Sequence, residues 1–515
     1  MNKTAPHMMF LVNNEAINDN RVVKTAEVVA SAGTRCTVVG CTRNATHATA
    51  LTRNGVTYVI TPLNRTLVRG LIAGLLPRLY TTLCNKWRTI PSNEANSEDT
   101  AITGAGAGTQ IQPEHRPFTQ PATLSAQSYR PPERKENGGA EALTPPTDPQ
   151  LPLIKRLLKP CVGLARRAFR LILIAPRRIR GVVIGQLQPQ RSQLGVVLLF
   201  GRYLATFYPW VHSLSETESV LYCHELWTLE TGAIFKSRHP KIQLAYDSHE
   251  LETHRNNNWS NASNLRRDDY ERRYIRSAHH VATVCQSIAD HLAELYGINT
   301  PHVVPNAPLA PTLRVVEPAM RLKALLDLQS EPLLVYTGKL TIGRGMHQVV
   351  AALPELANVH IAMVGPRIDQ ITRAVSELAI SAGVSDRVHF VDAVLPQDLV
   401  SFISDADLAV VPIENVCLSY YYSLPNKLFE AAMAGLPILA SDFPELRRFV
   451  QDYDAGRTVD FTNVNAVSSA IKALLEGATA KRASESAAPL QQKLSFEQRL
   501  NAFVAGIFPQ SQQDP

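Results

Sequence analysis

The 515-residue chain has little of what staples or anchors a protein. Its seven cysteines are dispersed, odd in number and without a Cys-x-x-Cys pair, which excludes a disulfide framework and a thiolate zinc cage and fits a reducing cytoplasm. Long apolar runs are missing too. "MMFLV" near the N-terminus is brief, and nothing elsewhere approaches the roughly 18 residues of a spanning helix, so neither a signal peptide nor a transmembrane segment is expected. Acidic residues are absent from Leu151 to Phe200, where ten Lys and Arg residues stand. The net charge of +7 therefore belongs to one segment, and the rest of the chain is net acidic. Aromatics are almost absent among those basic residues, which argues against nucleic acid as their partner.

What the chain does have is alternation. "HMMFLV" reads as a buried strand, Asn20 to Ala32 as an amphipathic helix and Thr34 to Gly40 as a second strand. Further apolar runs at "VTYVIT", "SVLYCHE", "IQLAYDSHE", "HHVATVC" and "HVVPN" are separated by helix-length stretches, the pattern of a parallel sheet covered on both faces. A second series runs through "PLLVYTGKL", "VHIAMVG", "RVHFVDA", "LAVVPI", "LPILAS" and "AGRTVD". The fold class is α/β with two doubly wound Rossmann-like domains, residues 1–305 and 306–490, then a helix over 491–508 and a tail over 509–515.

An insertion over about 64–195 interrupts the first domain, and its Pro-, Gly- and Ser-rich part, about 91–150, is expected to be disordered. Basic, apolar stretches flank that part. Leu151 to Gly185 is the stronger, and it suits in-plane helices on an anionic membrane surface better than a solvated basic face packed on the protein.

Chemistry concentrates in "SYYYSLPNKLFEAAMAGLPILAS". Ser423 reads as an N-cap, Pro425 suits a first turn, and Gly435 with Pro437 ends the helix. That helix opens at the carboxyl edge of a parallel sheet, so the N–H groups of Leu424, Pro425 and Asn426 as a segment, with Lys427, face a diphosphate. Glu430, one turn further, is placed for the hydroxyls of a ribose. In "YTGKLTIGRGMHQVV", Gly338 opens a strand-to-helix loop whose Lys339 and Arg344 can neutralise a leaving diphosphate without a metal. His249 in "YDSHE" follows a strand and faces the same cleft, with Asp247 and Glu250 beside it; His224 in "LYCHELW" lies one strand earlier. Two look-alikes fail on context. "DAD" at Asp405 to Asp407 precedes its strand and so sits at the amino edge, and "GAGAG" at Gly104 to Gly108 neither follows a strand nor starts a helix.

These motifs resemble those of retaining glycosyltransferases of the GT-B architecture, of the family 4 type that includes bacterial polysaccharide and glycolipid enzymes. "GKLTIGRG" is similar to their basic loop with Arg and Lys exchanged, "SLPNKLFEAAMAGLPILASDFPEL" to their glutamate helix, and "NDNRVVKTAEVVASAGTRCTVV" with "LAYDSHELE" to their first domain. The resemblance implies two domains facing a cleft. It further implies a nucleotide-diphosphate sugar as donor substrate, no metal or other cofactor, and a saccharide or lipid-linked acceptor. Lys339 and Arg344 would meet the diphosphate, Glu430 the ribose, His249 the sugar and acceptor, and the enzyme would sit in the cytoplasm, peripheral on the inner face of the membrane. One departure is plain: the family's first glutamate, eight positions before Glu430, is Tyr422 here. A nucleotide-sugar epimerase of the same fold and a non-catalytic membrane scaffold stay open as alternatives.

Overall fold

The fold is described from a computed structural model, over residues 6–17, 19–64, 142–143, 193–212, 214, 219–256, 261–309, 313–481 and 494–507. The basic segment Leu151 to Gly185, nearly all of the stretch 91–150, and the tail lie outside these residues.

β-Branched and apolar runs of four to eight residues become strands buried on both faces, as parallel sheets require. The first sheet comprises β1 (His7–Leu11), β2 (Arg35–Thr42), β3 (Ala48–Arg53), β4 (Val56–Pro62), β5 (Ala142–Leu143), β6 (Ser219–His224), β7 (Gln243–Ser248), β8 (His280–Thr283) and β9 (His302–Val303). Their spatial order is β5-β3-β4-β2-β1-β6-β7-β8-β9. Central β1 is buried throughout, with Met8 beside Cys36 of β2 on one side and Val220 of β6 on the other. The second sheet is all parallel: β10 (Leu333–Thr337), β11 (His360–Val364), β12 (Val388–Val391), β13 (Leu408–Val411), β14 (Ile438–Ser441) and β15 (Gly456–Val459), in the order β12-β11-β10-β13-β14-β15.

The first helix spans Asn20–Ser31, capped by Asp19, whose carboxylate accepts from the N–H groups of Arg21 and Val22. Three features depart from the sequence reading. An antiparallel strand, β3, folds back on β4 through an Asn54-Gly55 turn with both residues at positive φ, the signature of a tight hairpin. Ala142 and Leu143, inside the stretch expected to be disordered, pair with Thr49 and Ala48. The helix expected from Ser423 begins at Asn426 and ends at Met433. Pro425 occupies its cap position in an extended conformation, and the Ser423 hydroxyl turns back to donate to the Tyr420 carbonyl at 2.8 Å. Ser423 is therefore not the cap, because the helix begins only at Asn426 and the Ser423 side chain is turned back onto the preceding turn, Leu418–Tyr421.

The final helix, Phe496–Ile507, crosses back from the second sheet onto the first domain. Its Phe503 packs against the rings of Tyr222 and His302, and Phe496 lies 4.6 Å beneath the Lys24 ammonium. Among the described residues no helix is long and apolar enough to cross a membrane.

Candidate active site

The carboxyl edges of the two sheets open onto one cleft of about 430 Å³. Ten of the residues singled out in the sequence line it: Gly338, Lys339 and Arg344 after β10, Ser423, Leu424, Pro425, Asn426, Lys427 and Glu430 around the helix Asn426–Met433, and His249 after β7; Glu250 does too, while His224 and Asp247 lie behind it.

On the second domain's side, the loop after β10 is held by shape. Gly343 has φ +82°, and a Cβ there would stand 2.8 Å from the Tyr420 ring, so only glycine lets the loop close on that aromatic. The Arg344 guanidinium then lies over Tyr420, 4.7 Å from the ring centre. Lys427 rests its ammonium over Tyr336 at 4.0 Å, against Gly338. Burial, with Arg344 adding to it and Glu430 opposing, lowers the Lys427 pKa to about 7. Glu430 Oε2 accepts from the Thr337 hydroxyl at 3.1 Å. Burial pushes its carboxyl above the ordinary range, against that hydrogen bond and the charges of Lys427 and Lys24. Helix geometry leaves the N–H groups of Asn426 and Lys427 without intrahelical partners; Pro425, included in the expected N–H segment, has no N–H to give. The result is a cavity wall of three basic side chains, two helix-end amides and one carboxylate.

The first domain supplies the opposite wall. His249 follows β7, largely buried, with Nε2 2.9 Å from Nδ1 of the fully buried His224 and Nδ1 3.8 Å from Glu225 Oε1. Beneath them Asp247 is fully buried and clamped by Arg21. His224, Asp247 and His249 bring their ligand atoms within 4.8 Å of one another, as a metal site would. The donor set fits a cation poorly, because both Asp247 oxygens already accept from Arg21 and a divalent ion would face that guanidinium.

Asp405 and Asp407 lie at the amino edge of the second sheet. Asp405 Oδ2 accepts from the Lys323 N–H, and Asp407 Oδ2 accepts from the N–H of Leu333 at the start of β10 and pairs with the Lys323 ammonium at 2.6 Å. Tyr422 does not line the cleft. Its carbonyl accepts from Cys285 Sγ at 3.0 Å, and its ring stands 5.9 Å from that of His291, so the position of the family's first glutamate serves a contact between the domains.

Sequence reading missed Arg21 and Lys24. Neither was singled out within the amphipathic first helix, yet both are buried: Arg21 reaches the Val304 carbonyl as well as Asp247, and Lys24 donates to Asn306 Oδ1 at 3.0 Å and the Ala307 carbonyl at 2.6 Å. Two basic residues three apart on a helix that opens at a carboxyl edge were the available signal. Burial first, then Arg21, lowers the Lys24 pKa to about 7, with Glu430 and Asp19 opposing.

Residues 331–477 match the family model of group 1 glycosyl transferases. A D-inositol 3-phosphate glycosyltransferase of Nocardia farcinica is 29% identical over 201 residues, covering 37% of this chain and 43% of its own length. A GDP-mannose-dependent phosphatidylinositol monomannoside mannosyltransferase of Mycolicibacterium smegmatis is 26% identical over 218 residues, 39% of this chain and 51% of its own. The chain thus spans about half the length of the curated relatives it matches. In fold it is similar to sucrose-phosphate synthase of Thermosynechococcus elongatus, with a TM-score of 0.59 at 13% identity over 98% of both chains. An Anabaena protein solved with UDP and glucose gives 0.53 at 12% identity over 98% of this chain and all of that one. The chain has the GT-B fold, and over residues 331–477 it is similar to the group 1 glycosyl transferases.

Proposed function

We propose that the protein transfers a sugar from a nucleotide-diphosphate donor to a saccharide or lipid-linked acceptor, with retention at the anomeric carbon, in cell-surface polysaccharide or glycolipid synthesis. The observation that carries this reading is the cleft itself: Lys339, Arg344, Lys427 and the amides of the Asn426–Met433 helix converge on one side, and His249 faces them from the other domain. In this reading the basic residues and the helix end hold the diphosphate and stabilise the charge that develops as it leaves. Glu430 accepts from the ribose hydroxyls, and His249 orients the sugar. The bond from the anomeric carbon to the phosphate oxygen breaks, the acceptor oxygen bonds that carbon on the same face, and the acceptor proton passes to the departing diphosphate. Three cations make a divalent ion unnecessary for charge neutralisation. The relatives support the substrate class: one is named for GDP-mannose, and another structure of this fold holds UDP and glucose. The basic insertion Leu151 to Gly185 would bring the cleft to a lipid-linked acceptor at an anionic membrane.

The test is a panel of nucleotide sugars screened for thermal stabilisation in the presence of EDTA. A donor at 100 times its dissociation constant should add roughly 2.7 kcal/mol. Stabilisation by none of them, or only when magnesium or manganese is restored, would contradict the reading.

A further inference from the structure

Behind the cleft, one buried carboxylate organises the first domain's share of the site. Asp247 Oδ2 accepts from Arg21 Nε at 2.9 Å and Oδ1 from Nη2 at 2.8 Å, while Nη1 of the same guanidinium donates to the Val304 carbonyl at 2.8 Å. Asp247 Oδ2 also stands 3.3 Å from His224 Nδ1 and 3.5 Å from His249 Nε2. Its backbone carbonyl accepts from the N–H of Glu225 at 3.0 Å, and Glu225 sits at φ +61°, ψ 161°, a conformation that side chains rarely adopt unless their surroundings impose it. Of Asp247, His224 and His249, only His249 lines the cleft.

We propose that Asp247, clamped by Arg21, is a positioning residue that turns the Nε2 edge of His249 into the protein and presents its Nδ1 edge, beside Glu225, to the bound substrate; the role in transfer rests on reading the cleft as a donor site. An imidazole anchored at one nitrogen has the direction of the other decided for it. Here His249 Nε2 meets His224 Nδ1 at 2.9 Å and the Asp247 carboxylate at 3.5 Å, and that carboxylate cannot swing, because both its oxygens and three nitrogens of Arg21 are engaged. Charge supports the same arrangement. Burial alone would lower the His249 pKa, but Asp247 outweighs it, Glu225 adds to it and Arg21 opposes, so the pKa is raised from the ordinary imidazole value. Asp19 near the start of the first helix and Glu250 and Glu252 beyond β7 also bear on the ring. His224 is pushed the other way by burial and is the neutral partner of the pair.

The test is an NMR titration of the ¹⁵N-labelled full chain, with the His249 signals assigned through His249→Gln. The expected result is a His249 that holds its proton above about 6.5, the ordinary imidazole value, and loses it at lower pH in Asp247→Asn. In transfer assays Asp247→Asn should lower kcat about 10²-fold through misplacement of the ring, leave the donor KM unchanged and move the alkaline limb of kcat to lower pH. Asp247→Asn strands a buried guanidinium and can cost the fold, so the wild-type spectra are also read for ring geometry: the ¹⁵N shifts should show the proton on Nε2, toward the buried pair, and a neutral ring protonated on Nδ1 instead overturns the proposal. A wild-type His249 titrating at or below about 6.5, or a folded Asp247→Asn with an unchanged titration, overturns the proposal. If His249 titrates as expected while no nucleotide sugar stabilises the wild type, the positioning stands and the donor-site reading falls.

Discussion

Glu430 and Lys427 show how burial sets the chemistry of single residues. Glu430 is half-buried at the cleft with one oxygen on Thr337, so a contact with a ribose there would exist in the ground state and the transition state alike. Glu430→Gln should therefore raise the donor KM and leave kcat near wild type; a selective fall in kcat would move Glu430 into the chemistry. Lys427 and Lys24 have pKa values lowered to about 7, chiefly by burial, and are therefore partly neutral in the free protein at neutral pH. An arriving diphosphate favours the charged form of Lys427, which lines the cleft, and raises its pKa, so binding takes up protons. Calorimetry of nucleoside diphosphate binding at about pH 8 in buffers of different ionisation enthalpy should register that uptake. Proton release, or no dependence on buffer, would mean that Lys427 does not face the phosphates.

At the scale of elements, the domains are joined by more than their linker. The helix Gln286–Tyr296 of the first domain has no cap from its own Cys285, and Glu445 of the second domain supplies one, accepting from the Ser287 N–H at 2.8 Å and hydroxyl at 2.6 Å while paired with Arg448. Glu445→Ala should cost about 1–2 kcal/mol in denaturant unfolding, the scale of a lost cap that strands buried donors. An unchanged midpoint would make the contact incidental. Most elements were legible because parallel strands buried on both faces leave continuous apolar runs: every strand of the second sheet falls within a run read from the sequence. Strand β3 was not, since "ATALTR" is half-exposed and antiparallel, and its short alternation does not stand out beside buried neighbours. The site was legible where its residues lie in one loop or one helix turn, as Lys339 with Arg344 and Lys427 with Glu430 do. Arg21 and Lys24 escaped because their partners, Asp247, Val304 and Asn306, are more than two hundred residues away, and pairing over that distance leaves no local pattern.

At the scale of the whole molecule, the account requires two sheets to present one cleft and a basic insertion to bring that cleft to its acceptor. If Leu151 to Gly185 docks on an anionic membrane, each basic residue contributes about 1 kcal/mol, and salt weakens the attraction as the Debye length falls below about 10 Å. Liposome flotation should show binding to anionic but not neutral vesicles, reduced by salt and by changing Arg166, Arg167, Arg170, Arg177, Arg178 and Arg180 to glutamine. Equal binding to both vesicle types, or to neither, would remove the membrane and leave a soluble acceptor. The central claim is that the cleft activates a nucleotide-diphosphate sugar, and its most direct measurement is nucleoside diphosphate release from a donor panel by the purified full chain, beside Lys339→Ala and Arg344→Ala. The account predicts release from one class of donor, reduced roughly 10²- to 10³-fold in each variant. Release from no donor, or undiminished release by both folded variants, would contradict it.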